Sequence, residues 1–354
     1  MKRLFLFFLF FILFLFSPGY YLQGKGIDFT FQHNIFLDNN LYTVKNLLKI
    51  DLLAPFSSNT VGKLFFDQEQ RWLFRITGSP LYFGYLKESE EKYRVDPDTI
   101  SLLTTKFEDL DKDQYKIQLN TLRQSCHGIL LGGMVWQNRK MGLALNLEGK
   151  LLTGQEIIER NYNGLYIKKD QKYYLSGFKD GIYSELGEQI KMYDHNFYSW
   201  GYSLGYNLSW QIDDCKVLQF DLENAFSKIY WYDVFTLVGM FDPNNLVLED
   251  DGYYRYKSSF TGNFSYNDYV SSLTPEYKLS YQDARIEGGV YYRSRAYPYF
   301  NYLVIGQPLK IKLGFFDDML NLELNYQGIN AGLAFRGYNP TLSSAISGFI
   351  NISF

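Results

Sequence analysis

Only two cysteines, Cys126 and Cys215, occur in 354 residues. That is too few for a disulfide framework, and their spacing is not that of a metal site; a single bridge between them is compatible with the sequence. An excess of either charge is also missing. Lys+Arg 35 against Asp+Glu 38 leaves a formal charge of −3, and without a basic tail or patch there is no electrostatic footprint for nucleic acid. Beyond Gly26 no apolar run reaches 18 residues, which excludes membrane-spanning helices from that part of the chain. Histidine is scarce: His33, His127 and His195 are the only three, none beside a serine in a recognisable catalytic pattern. What is abundant is aromatic. Tyr 32, Phe 30 and Trp 5 make up 19% of the chain, a composition incompatible with intrinsic disorder.

The N-terminus reads Lys2-Arg3, thirteen residues from Leu4 to Phe16 made of Leu, Phe and Ile, then Ser17-Pro18-Gly19. A basic start, a short apolar core and a small-residue exit are the layout of a secretory signal peptide. At about 1.5 Å per residue the apolar core is too short to cross a bilayer as a helix. Residues 1–19 are therefore expected to be a cleaved export signal and 20–354 a single mature domain.

Between Tyr198 and Ile212 every even position is apolar (Tyr198, Trp200, Tyr202, Leu204, Tyr206, Leu208, Trp210, Ile212), while Ser199, Gly201, Ser203, Gly205, Asn207, Ser209 and Gln211 alternate with them. Successive strand side chains point to opposite faces, so this is one long strand with an aromatic face and a small polar face. Its rings cluster toward the ends and its leucines toward the middle, as at two membrane interfaces flanking hydrocarbon. The pattern returns at Leu218–Phe226, Tyr254–Tyr266, Leu273–Tyr281, Ile286–Tyr292 and Leu309–Phe315. Its phase flips at Asp317-Asp318, and Leu320–Tyr326 is followed by a two-residue hairpin loop at Gln327-Gly328. Ile27–Ile35 and Met141–Leu147 alternate as well, with further strands expected around 71–86 and 128–136. Asp96-Pro97-Asp98 has helix-start chemistry ahead of Ile100, Leu103, Phe107 and Leu110. Residues 152–196 and 231–252 lack sustained alternation and read as long loops outside the membrane.

The C-terminus ends Ile346, Ile350, Ile352, Phe354 on one face, with Ser347, Asn351 and Ser353 opposite. An alternating last strand ending in Phe resembles the assembly signal of bacterial outer-membrane β-barrels, and together with the export signal and aromatic strands the chain is similar to that broad, porin-like class. The resemblance implies that Ile350, Ile352 and Phe354 are read by the barrel-insertion machinery. It also implies an outer membrane of a diderm bacterium as location, and its lipids as surroundings. The expected fold is all-β: an antiparallel up-and-down transmembrane barrel of about 14 strands, range 12 to 16, because closure pairs edge groups that each cost several kcal/mol in lipid. The count leaves Ser294–Pro308 on the wrong side unless a further strand lies near Tyr299–Ile305. An exported soluble β-sandwich is the competing architecture; fifteen-residue strands with rings at their ends are unusual for it.

The predicted lumen faces carry Arg255, Lys257, Lys278, Arg285, Arg293, Lys310, Lys312 and Arg336 against Asp221, Glu223, Glu276, Glu287 and Glu323, a mildly cationic lining that would favour anionic or neutral solutes. A lumen plugged by its own ion pairs is the plain structural alternative. Gly201-Tyr202-Ser203-Leu204-Gly205 spells a nucleophile elbow but lies mid-strand, where the required strand-to-helix turn is missing. Asp109, Asp111 and Asp113 begin like a calcium loop, yet Gln114 and Asn120 replace its Gly and Glu. The reading is thus no enzyme, cofactor or resident metal, and a passive pore or transporter for small or amphipathic solutes. The alternative is a barrel that anchors binding loops.

Overall fold

The computed structural model describes residues 26–40, 61–104, 110–169, 172–183, 198–241, 246–248, 254–256, 260–306, 308–336 and 345–353. The expected export signal, the terminal Phe354, His195, Asp109 and Lys257 lie outside these residues. Seventeen strands form one antiparallel sheet, and a separate two-stranded ribbon pairs β10 (Leu246–Leu248) with β11 (Tyr254–Tyr256).

The chain begins with β1 (Ile27–Asn39), β2 (Gly62–Ile76), β3 (Leu81–Val95), helix α1 (Pro97–Thr104), β4 (Gln114–Asn138) and β5 (Leu143–Lys169). Each strand pairs with the next. The upper part of β5, Ile158–Lys169, pairs with β6 (Lys172–Tyr183), and its lower part, Leu143–Leu152, with β7 (Tyr198–Gln211). Strands β6 and β7 therefore share one lane. Likewise β8 (Val217–Glu223) and β9 (Lys228–Phe241) both lie along β7, and β12 (Phe260–Ser271) and β13 (Glu276–Gln282) lie along β9 and β8 in turn. The remainder is a meander: β14 (Ile286–Tyr292), β15 (Ala296–Ile305), β16 (Lys310–Phe316), β17 (Met319–Tyr326), β18 (Ile329–Arg336) and β19 (Ala345–Ser353). Strand β19 returns to β1, from Thr30↔Ser353 to Asp38↔Ala345, and closes the ring. Seventeen strands with three collinear pairs make fourteen lanes, the central number expected from the sequence.

Closure gives every lane a paired neighbour on each side, and the register sends the apolar residues of β7, β16 and β17 outward. Trp200, Leu204, Leu208 and Trp210 on β7, Leu313 and Phe315 on β16, and Leu320, Leu322, Leu324 and Tyr326 on β17 are all more than a third exposed. A continuous apolar belt of this size suits hydrocarbon and not water, and the barrel is transmembrane. Aromatic rows cross the belt, with Trp200 stacked on Tyr230 at 4.8 Å between ring centroids and Tyr198 on Tyr232 at 4.5 Å.

One rim carries short turns, at 77–80, 139–142, 212–216, 283–285 and 327–328, together with the outset of β1 and the end of β19. Gln327 and Gly328, with φ of 43° and 84°, make the tight hairpin the sequence predicts, and Asp317, at φ 57°, turns the chain at the opposite rim where the phase flips. That opposite rim bears the longer connections, including α1. Asp96 starts this helix: its carbonyl accepts from Ile100 N at 3.1 Å, its side chain accepts from the Thr99 hydroxyl and, at 2.7 Å, from the Gln118 amide, and Pro97 fills the first helical position.

Two expectations are corrected. Residues 152–169, 172–183 and 231–241, expected in irregular loops, are strands: β5 continues to Lys169, β6 follows, and β9 runs to Phe241, while 170–171, 184–197, 242–245 and 249–253 lie outside the described residues. Alternation is interrupted there by bulges, including the shift between Ser125/Cys126 opposite Glu156/Gly154, and each bulge swaps the two faces. The strand needed near Tyr299–Ile305 is present as β15. Arg255, predicted on a long wall strand, belongs instead to the separate ribbon.

Candidate functional site

The inward faces of β2, β3 and β5 hold Asp67, Glu69 and Arg71, then Glu88, Glu90 and Lys92, then Glu148 and Lys150. Within each group the residues lie two apart, so strand alternation alone aims them into the lumen. At mid-height they form one layer. Arg71 pairs with Glu69 at 2.7 Å, with Glu148 at 3.4 Å, and with Glu223 from the far wall. Lys150, whose side chain is 1% exposed, lies 3.5–3.9 Å from Glu69, Glu88, Glu148 and Glu223 and donates to Asn224 Oδ1 at 3.2 Å. Asn224 in turn donates to Glu88 at 3.1 Å, and Tyr82 donates to Glu148 at 2.8 Å. Asn224 has a positive φ of 53° in the break between β8 and β9, so the irregularity that splits that lane also aims this amide at the ions.

Beside the ionic layer the lumen is apolar. Leu86, Cys126, Leu130, Leu152, Ile157, Ile229, Trp231, Val234 and Leu273 form a buried cluster inside the wall of β3–β9. Trp231, fully buried, donates its indole N–H to Ser271 Oγ at 2.8 Å, and its ring leaves no room for a Cβ at Gly154, which would sit 2.2 Å from Cη2. On the other side Phe36, Phe65, Tyr297 and Met319 pack with Tyr291 and Phe316. Above them Asp38 accepts from Tyr297 at 2.9 Å and Arg295 at 3.2 Å and pairs with Arg336 at 3.4 Å, tying β1 to the turn after β14, to β15 and to the end of β18. The lumen is thus filled across its middle, as in the plugged alternative.

Among the described residues, two lumen cavities border this filling. One of about 290 Å3 lies between β1, β2, β8 and β13–β19; the other, about 160 Å3, lies toward the short-turn rim between Arg71, Tyr82, Asn146, Glu148, Asn207 and Asp221. Glu223 lines both.

The residues predicted to line the lumen separate accordingly. Lys278, Arg293, Lys312, Glu323 and Arg336 point inward into ion pairs: Arg293 with Asp67 at 2.7 Å and Glu276 at 2.5 Å, Lys278 with Glu287 at 3.6 Å, Lys312 with Glu287 at 2.5 Å and Glu323 at 3.7 Å, and Arg336 with Asp318 at 2.7 Å. Arg285 and Lys310 are exposed at the short-turn rim, and Arg255 lies in the ribbon. The cationic balance read from the C-terminal strands is reversed: six carboxylates line the larger cavity (Asp67, Glu69, Glu223, Glu276, Glu287, Glu323) against Lys278 and Arg293. The carboxylates missed from the sequence sit on β2 and β3, where both strand faces are polar and alternation of hydropathy gives no phase.

Ser203, centre of the elbow-like motif, is fully buried mid-strand and donates to Asn224 Oδ1 at 2.8 Å. Its surroundings hold no turn for a nucleophile. Asp111 accepts from the Tyr115 hydroxyl at 3.0 Å. Cys126, buried, and Cys215, exposed in the β7–β8 turn, are both free thiols. Ile350 and Ile352 face outward on β19, which pairs with both β1 and β18 and so is the closing strand.

No protein-family model matches the chain, and no curated protein matches it. Among solved structures it is similar to a deltaS2S3 mutant of the monoaromatic hydrocarbon channel TodX, with TM-score 0.43, 9% identity, and 94% of this chain covered against 90% of that one. It is also similar to the toluene transporter TbuX of Ralstonia pickettii, with TM-score 0.36, 10% identity and coverages of 94% and 90%. A third is the translocator domain of the autotransporter NalP from Neisseria meningitidis, with TM-score 0.32, 8% identity and coverages of 100% and 96%.

Proposed function

We propose that the chain is an outer-membrane β-barrel that passes small solutes passively through its lumen, with the Arg71–Lys150 layer as its gate. The observation that carries this reading is the position of Glu223. It lines both cavities and pairs with Arg71, so the two cavities meet at this one side-chain layer. Glu223 is also the most accessible member of the layer, its side chain 38% exposed against 9% for Arg71, which makes it the group best placed to swing away. The start of β1, the end of β19 and the short turns share a rim, the periplasmic one in this orientation, and α1 and the longer connections face outward from the cell. The acidic lining favours cations over anions during passage.

The test is conductance of the purified protein in a planar lipid bilayer. Reproducible unit steps that scale with salt, a reversal potential favouring cations, and larger or longer openings in Arg71→Ala are expected. Inserted protein that stays silent in both wild type and Arg71→Ala would refute the channel.

A further inference from the structure

We infer that the larger lumen cavity is a binding site for a small primary-amine cation carrying an apolar group. This rests on the channel reading above and names the class of solute that channel selects. Three features of the cavity point to it. Carboxylates outnumber cations six to two along its lining. The same lining presents the rings of Phe36, Tyr291, Tyr299, Phe316 and Phe349, so a ligand entering it meets negative charge and aromatic faces together, the pairing that recognises organic ammonium groups. Of the two cations, Arg293 is already committed to Asp67, 1% exposed, at 2.7 Å and to Glu276 at 2.5 Å, and so is not available to the other carboxylates.

The cavity already contains a stand-in for such a ligand. The Lys278 ammonium lies over the Tyr299 ring, 5.3 Å from its centroid, and 3.6 Å from Glu287. An alkylammonium held between a ring face and a carboxylate is the arrangement that a diffusible amine would adopt. Lys278 is also the cation most easily displaced, because its side chain is 41% exposed whereas that of Arg293 is 6%. Glu287 would not be orphaned by the exchange, since Lys312 pairs with it at 2.5 Å. Arg293 is built differently: it sits 5.4 Å from the Phe65 ring centroid and is held between Asp67 and Glu276, with Glu276 further fixed by the Tyr291 hydroxyl at 2.5 Å. We assign it to the wall. A cavity of about 290 Å3 is at the lower end of the range for ligand sites, which suits a molecule of one ring or a short alkyl chain.

The experiment is titration calorimetry of the full-length, detergent-purified barrel with benzylammonium, and with benzyl alcohol as its uncharged counterpart. Benzylammonium is expected to bind at least tenfold more tightly. Lys278→Met, which removes the internal competitor, should tighten benzylammonium several-fold; Tyr299→Leu should weaken it about fivefold, and Tyr299→Phe, which keeps the ring, should bind as wild type does. Folding of each variant is checked by its heat-dependent gel mobility. Equal affinity for the two probes, or an unchanged or weaker affinity in Lys278→Met, overturns the assignment. The two readings fail separately: amine binding without any bilayer conductance removes the channel and leaves the site, and conductance without amine preference removes the site and leaves the channel.

Discussion

Arg71→Met tests whether the mid-lumen layer is a clamp. The guanidinium is 9% exposed and touches three carboxylates; with it gone, Glu69 and Glu148, 11% and 12% exposed, keep Lys150 at 3.5 and 3.9 Å as their neighbouring cation. Removing one partner from a buried ion cluster leaves desolvated charge uncompensated, at a cost of about 3–5 kcal/mol. Glu223→Gln removes a partner that is 38% exposed; solvent screening there limits the loss to about 1 kcal/mol. Combining Arg71→Met with Glu69→Gln deletes the stranded charge as well, so the double variant should recover about 1–3 kcal/mol relative to the sum of the singles. Urea unfolding of the barrel in lipid vesicles, followed by tryptophan emission, gives the stabilities of wild type, the single variants Arg71→Met, Glu69→Gln and Glu223→Gln, and the double variant. An Arg71→Met within about 1 kcal/mol of wild type, or strict additivity in the double variant, would refute the account, because either result means water already reaches the layer.

Other outcomes follow from the same geometry. A Cβ at Gly314 would lie 1.9 Å from the Phe300 carbonyl oxygen, a backbone atom that cannot yield, whereas at Gly348 the nearest atom is 3.6 Å away; Gly314→Ala should cost about 1–3 kcal/mol or more and Gly348→Ala less than about 0.5, measured by the same urea titration. Cys215 is exposed in the β7–β8 turn and Cys126 is buried in the lumen cluster. A membrane-impermeant maleimide should therefore label Cys215 only after the outer membrane is permeabilised, and Cys126 only after unfolding; labelling of Cys215 on intact cells would invert the proposed orientation. At the opposite rim, partial burial works against ionisation of Asp98, but hydrogen bonds from the Lys112 ammonium at 2.6 Å and the Lys116 amide at 2.9 Å outweigh it and hold the carboxyl below the usual carboxylate range. A depressed folded-state pKa contributes stability above the unfolded value that is lost as pH falls through the folded one. Pepsin cleavage within α1 should thus rise steeply only below about pH 4, and Asp98→Asn should be cleaved readily at pH 4 already; equal cleavage of the two across that range would show that the tether is not ionic.

The alternation of Tyr198–Ile212, of Leu309–Phe315 and of Leu320–Phe335 determined by itself the strands β7 and β16–β18, their outward faces and the hairpin at Gln327-Gly328, because a lipid-facing strand admits apolar residues on one side only. The need to pair edges in hydrocarbon carried that to a closed barrel, and the spacing of the segments to fourteen lanes. What the sequence did not determine is everything that depends on two walls meeting. The shift at Ser125/Cys126 and the break at Asn224 interrupt the periodicity, so the upper part of β5, β6 and β9 hid in stretches without a phase. The run Lys87-Glu88-Ser89-Glu90-Glu91-Lys92 is polar on both faces, and only pairing with β2 and β4 decided that Glu88 and Glu90 turn inward while Lys87 and Glu91 turn out. Lys150 reaches Glu223 across 73 residues of chain, a contact fixed by the closure of the ring. The charge of the lumen is therefore a tertiary property: a net balance counted along strands says which ions are present, and the register of the closed barrel decides which of them face each other.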